Sequence, residues 1–180
     1  MKHPYEFTLV FALPSAVTDF SDYEDRLFEA GCDDALLGIG HPRRLGLDLM
    51  RHADDARTAV FSAIDDVRRA VPDAVLVEVQ PDLVGMSDVA ELVGRSRQNI
   101  RKLLLSTTER VPVPVHSGSP TLWNLAPVLA WLRDEKGYRI DHRLLEVAEV
   151  AMLVNAQSAN ARVRSQPRIV RELEALLAPV

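Results

Sequence analysis

The apolar positions of the first 85 residues change period several times, and each change marks an element. Phe7 to Leu13 is a continuous apolar run of strand length. From about Ser21 to Ala30 the spacing becomes helical, with Ser21 or Asp22 at the cap, Leu27 and Phe28 as apolar positions and Gly31 as the stop. Ala35 to Ile39 is a second apolar run, closed by the turn signal Gly40-His41-Pro42. Leu45, Leu47 and Leu49 then alternate with Gly46, Asp48 and Met50, the two-residue period of a strand with one buried face. Asp54 or Asp55 caps a helix in which Val60, Phe61, Ile64, Val67 and Val71 share a face, Pro72 ends it, and Val75 to Val79 supplies a last strand.

That order, β-α-β-β-α-β, predicts a ferredoxin-like α+β sandwich over residues 1–85, with both helices on one face of the sheet and the second and third strands joined as a hairpin. The pattern then becomes wholly helical. Ser87 is placed to cap a short helix carrying Val89, Ala90, Leu92 and Val93, and Gly94 supplies the positive-φ stop. Ser96 caps a second helix, over 96–105, whose Ile100, Leu103 and Leu104 fall on one side. Gln98, Arg101 and Lys102 point the opposite way, with Arg97 and Asn99 on the flanks. Arg and Lys bind phosphate or guanine edges, and Gln and Asn present a donor and an acceptor to adenine. A helix-turn-helix with this face makes double-stranded DNA the leading ligand.

Beyond the hairpin, Val111-Pro112-Val113-Pro114-Val115 and Thr121-Leu122-Trp123 flank a His116-Ser117-Gly118-Ser119 turn, the pattern of a short wing. Asn124 is placed to cap a third helix with Leu125, Val128, Leu129 and Leu132 at helical spacing and Trp131 as a large apolar contact. Residues of about 86 to 133 therefore resemble the winged helix-turn-helix of the MerR/excisionase (AlpA-like) superfamily. The resemblance implies a DNA-binding domain over 86–136. Carried over by position, it implies contacts from Arg97, Gln98, Asn99, Arg101 and Lys102 of the reader and from the wing tip at His116 to Ser119, with His116 and Ser117 as its candidate contacts; Arg95 and Ser96, at the start of the reader, are candidates beside them.

Charge sharpens this picture. The 180-residue chain has a formal net charge of −5, but residues 1–85 hold 8 Lys/Arg against 16 Asp/Glu, whereas residues 86–136 hold 7 against 5. Four cations and no acid lie between Arg95 and Lys102. The doublet Asp54-Asp55 reads as a helix start. Asp65-Asp66 reads as ion-pair partners of Arg68 and Arg69 along a solvated helix. Cys32, the only cysteine, rules out an internal disulfide or a multi-cysteine zinc site and reads as a small buried residue. The five histidines have no ligand-like spacing, and no serine elbow, phosphate-binding glycine loop or CxxC pair is present. No metal, cofactor or catalytic centre is expected, and the chain reads as cytoplasmic, with the run at Phe7 too short for a membrane span.

Residues 137–180 read as a C-terminal helical hairpin. Gly137 ends the preceding helix, Asp141 caps a helix apolar nearly all round from Leu144 to Val154, and Asn155 to Gln166 forms a polar break. Pro167 then restarts a helix with Ile169, Val170, Leu173, Leu176 and Leu177 on one side. Because readers of this type bind two half-sites as a twofold dimer, residues 141–178 are expected to form much of a homodimer interface. The expected function is that of a dimeric, sequence-specific transcriptional regulator, a repressor whose helix 96–105 reads the major groove. The alternatives are an antitoxin-like protein-interaction module that also binds its own operator, and an architectural or excisionase-type factor that bends DNA. A third is a ligand-responsive sensor.

Overall fold

In the computed structural model, strands β1 (His3–Ala12), β2 (Ala35–His41), β3 (Arg44–Ala53) and β4 (Val75–Gln80) form one sheet in the order β2-β3-β1-β4. Every neighbouring pair is antiparallel. Helix α1 (Ser21–Glu29) connects β1 to β2 and α2 (Ala56–Ala70) connects β3 to β4, which is the expected element order. The structure describes residues 1–15, 21–41, 43–106, 110–163, 169–172 and 176.

Alternation explains the sheet. Tyr5, Phe7, Leu9 and Phe11 of β1 and Leu45, Leu47 and Leu49 of β3 are buried under the helices, while Glu6, Asp48 and Met50 face out. Strand β1 begins at His3, four residues before the apolar run, because His3 to Glu6 pair with Ala53 to Met50 and the period-two pattern continues through Tyr5. Asp55 is the N-cap of α2, its side chain accepting from the Thr58 N–H at 2.6 Å. That bond holds its carboxyl below the usual range. Phe61 departs from the expected apolar face: it is 46% exposed at the edge of α2.

The acidic doublets serve a buried cation that periodicity did not reveal. Arg51, on β3, is 8% exposed. It donates to both oxygens of Asp34 at 2.9 Å, to Asp66 at 2.6 Å and to the Gly31 carbonyl at 2.8 Å. Burial alone would lower its pKa; Asp34 and Asp66 outweigh that and raise it. Asp66 also pairs with Arg69, as expected, whereas no pair of Asp65 or Arg68 is found among the described residues. Beside this cluster Cys32 is buried, and desolvation with the nearby Asp66 pushes its thiol up to about 11.

A second core begins at β5 (Leu83–Val84), which pairs antiparallel with β6 (Trp123–Asn124). Around it pack α3 (Met86–Leu92), α4 (Arg97–Leu104) and α5 (Leu125–Lys136). Helix α6 (His142–Val163) belongs to both cores: Val147 and Ala151 pack under the sheet, and Leu145 and Ala148 pack with α5. One side of its apolar surface, expected to be covered by a second subunit, is covered by the chain's own two cores, while Leu153 on another side is 65% exposed. The expected polar break at Asn155 is also absent, and α6 continues to Val163 through a stretch free of Gly and Pro. Asn155 is spent on the sheet instead. Its Oδ1 accepts from the Val79 N–H at 2.7 Å, and its Nδ2 donates to the Val79 carbonyl at 2.9 Å and to Asp82 at 2.8 Å. With Ser158 donating to the Leu76 carbonyl, these side chains occupy the free edge of β4. Of the final apolar set, Ile169 and Leu176 are exposed, while Pro167, Leu173 and Leu177 lie outside the described residues.

Candidate nucleic-acid interface

The turn between α3 and α4 is encoded by two residues. Gly94 has φ +62°, the left-handed conformation that suits glycine. The Arg95 N–H donates back to the Ala90 carbonyl at 2.8 Å and the Gly94 N–H to Glu91 at 3.1 Å, the paired bonds of a Schellman stop. Two residues later Ser96 caps α4, its hydroxyl accepting from the Asn99 N–H at 3.2 Å. The start of α3 differs from expectation. Ser87 is not the cap; the N-cap is Gly85, because the Asp88 carboxylate reaches back to accept from the Gly85 N–H at 2.7 Å.

Helix α4 then has two unlike faces. Ile100 and Leu104 are buried, Leu103 is half-buried, and Arg97, Gln98, Asn99, Arg101 and Lys102 are all exposed, as are Arg95 and Ser96. The buried side fixes the exposed one, since Ile100 and Leu104 share a core with Val89, Ala90, Trp123 and Leu129.

Tyr138, just past the positive-φ Gly137 that ends α5, joins two of these residues. Its hydroxyl donates to Asn99 Oδ1 at 2.9 Å, and the Arg95 guanidinium lies 5.2 Å from its ring centroid. The bond occupies Oδ1, and Nδ2 has no hydrogen-bond partner among the described residues. Sequence reasoning missed Tyr138; its only signal was an aromatic residue next to a helix-ending glycine.

The turn at 116–119 is closed by a bridge between His116 and Leu122, with the Leu122 N–H donating to the His116 carbonyl at 2.9 Å. Val111 to Pro114 form no strand, since Pro112 and Pro114 lack the N–H a ladder requires. That arm is held instead by the buried Trp123, whose indole N–H donates to the Pro112 carbonyl at 3.1 Å. His116 and Ser117 are exposed, and no hydrogen bond or ion pair among the described residues links them to α4. The turn and the helix are related through Trp123 and Ile100 in the core beneath. Asn124 is the N-cap residue of α5, but its side chain does not cap: Nδ2 donates to Asp82 at 2.7 Å.

Asp82 is 4% exposed and takes amide donors from Asn124 and from Asn155, while its carbonyl accepts from the Leu125 N–H at 2.7 Å. One buried carboxylate thus ties together the end of β4, the start of α5 and the middle of α6.

The cations of residues 86–136 divide cleanly. Arg95 lies over Tyr138, Arg110 pairs with Glu135, Arg133 with Asp134, and Lys136 sits 5.0 Å from the Trp131 ring centroid. Arg97, Arg101 and Lys102 have no such partner among the described residues, and all three lie on the outward side of α4. Comparison of the chain with protein-family models, with curated proteins and with solved structures finds no match. Among the described residues no helix is long and apolar enough to cross a membrane.

Proposed function

We propose that the chain is a sequence-specific DNA-binding regulator: a ferredoxin-like domain carrying a winged helix-turn-helix, with α4 as the major-groove reader and the 116–119 turn as the wing. The observation that carries this is the distribution of partners. Among the described residues the fold engages every cation of residues 86–136 except the three on the exposed side of α4, where they flank Gln98 and Asn99. Unpaired cations position a reader on phosphates, and amides between them read base edges. Two copies bind two half-sites, as twofold readers do; in α6, Leu145, Val147, Ala148 and Ala151 are buried within the chain's own cores and are not part of the pairing surface.

Fluorescence anisotropy on the duplex upstream of the gene and on a scrambled duplex, over a salt series, tests the proposal. Three phosphate contacts per copy give a slope of log affinity against log salt of about −3 for one bound copy and about −5 for two. Tighter binding to the upstream duplex, with one of those slopes, is the expected result. Equal binding to both duplexes, or none to either, overturns it.

A further inference from the structure

We infer that the groove between α2 and α6 is a binding site for a small amphipathic carboxylate, and that it is an effector site. The effector role rests on the DNA-binding reading; the binding site does not.

The groove is about 660 Å³, within the range of small-molecule sites. Its floor is Ile64 and Leu76, both nearly buried, and its walls are Phe61 of α2 and Leu153 of α6, which are 46% and 65% exposed. Two large, exposed apolar side chains from different helices lining one groove leave surface that an apolar ligand body would cover. The rim carries Arg68 from α2 and Arg162 from α6, with Asp65 as the opposing charge.

The arginines point to the head group. Elsewhere in the sheet domain Arg51 is held by Asp34 and Asp66, Arg69 by Asp66, and Arg57 lies over the Phe61 ring. Arg68 and Arg162 have no ion-pair partner among the described residues, although residues 1–85 carry twice as many acids as bases. A guanidinium from each wall at the mouth of an apolar groove fits one carboxylate above an apolar body.

The site's location supplies a route to the reader. The helix that forms one wall also packs Leu145 and Ala148 into the core of α4 and α5, and its Asn155 grips the Asp82 that holds Asn124. A ligand that favours one seating of α6 therefore acts on the element that positions the reader.

Calorimetric titration of the full chain with decanoate, and with decyltrimethylammonium as the charge-reversed control, tests the site without DNA. The expected result is saturable one-to-one binding of decanoate and none of the cation. R68Q combined with R162Q should weaken binding roughly five- to tenfold. Ala161→Trp, a substitution at an exposed position on the groove wall, should abolish binding while leaving the circular dichroism unchanged. Absence of saturable decanoate binding, equal uptake of the cation, or binding that survives Ala161→Trp overturns the site. Anisotropy with and without decanoate then tests the effector role. Decanoate bound with no duplex bound keeps the site and removes the regulator, whereas a selective reader whose affinity decanoate leaves unchanged removes the effector role.

Discussion

Replacing Asn155 with alanine should destabilise the protein more than any other substitution of a partly exposed polar residue in α6. The side chain makes three hydrogen bonds of 2.7 to 2.9 Å, two to the backbone of Val79 and one to Asp82. Val79 is fully buried, so the alanine variant leaves its N–H without a partner, at a cost of about 1 to 3 kcal/mol. Asp82, 4% exposed, keeps only the Asn124 amide, and loss of a hydrogen bond to a charged group adds about 1.5 kcal/mol or more. Part of this returns as water reaches the rim, which gives about 3 kcal/mol overall, a large share of the roughly 5 to 15 kcal/mol typical of a folded domain. Urea denaturation should show a lower midpoint with an unchanged slope. Asn155→Asp separates this account from a loss of packing. It places a second carboxylate against Asp82, and one of the two must then take a proton, so its folded pKa rises above the unfolded value of about 4. The stability tied to that proton is complete below about pH 4 and is lost as pH rises through the folded pKa. Asn155→Asp should therefore be the less stable of the two variants at neutral pH and close the gap as pH falls. A loss below about 1 kcal/mol for Asn155→Ala, or parallel pH profiles for the two variants, would refute the reasoning.

Tyr138→Phe keeps the ring under Arg95 but frees the Asn99 amide to rotate; selectivity at one base pair should fall roughly three- to tenfold in a competition binding assay while affinity for scrambled DNA holds. Gly94→Ala forces a side chain to φ +62° in otherwise open space, so the loss is backbone strain alone, about 1 kcal/mol by urea denaturation, and Gly94→Val should lose more. The raised Cys32 thiol makes stability depend on alkaline pH: the contribution is fully present below the unfolded value near 9 and lost as pH rises through about 11. Cys32→Ala should remove that part of the decline in an alkaline denaturation series, leaving the part due to Tyr5, whose hydroxyl is also raised, by burial and by Glu146.

Features that depend on near neighbours in sequence were legible. Alternation along β3, the glycine stop before α4, the Ser96 cap and the division of α4 into apolar and polar faces all follow from spacings of a few residues, and each is found where periodicity put it. The features that escaped depend on polar pairs far apart in the chain. Asp82 and Asn155 are 73 residues apart, and Arg51 is 15 from Asp66; a lone polar residue carries no periodic signal of the partner that lets it be buried. The same blindness produced the errors at caps. Ser87 and Asn124 are good capping residues by type, but Asp88 displaces Ser87 by bonding the Gly85 N–H, and Asn124, although at the cap position, has its side chain drawn to Asp82. For α6, the apolar pattern signalled burial, and a second subunit was the expected cover, although the pattern itself does not name what does the covering. A helix shared between two cores of one chain accounts for Leu145, Val147, Ala148 and Ala151 and leaves Leu153 exposed.

Net charge is a poor guide to what the surface of α4 would attract under the proposed reading. A chain at −5 should be repelled by a polyanion, yet a phosphate at the surface of α4 senses chiefly the charges within a Debye length, about 8 to 10 Å at ordinary ionic strength. Some of the acids that set the total are committed elsewhere: Asp34 and Asp66 neutralise Arg51, Asp55 caps α2, and Asp82 is buried between two amides. The basic segment shows the converse, since Arg110 and Arg133 are matched to acids and Arg95 and Lys136 are laid on aromatic rings. What remains unmatched there among the described residues is a set of three cations on one exposed helix face, held in place by Ile100 and Leu104 behind them. The pattern of satisfied and unsatisfied charges, read residue by residue, thus identifies a surface that composition alone would have excluded.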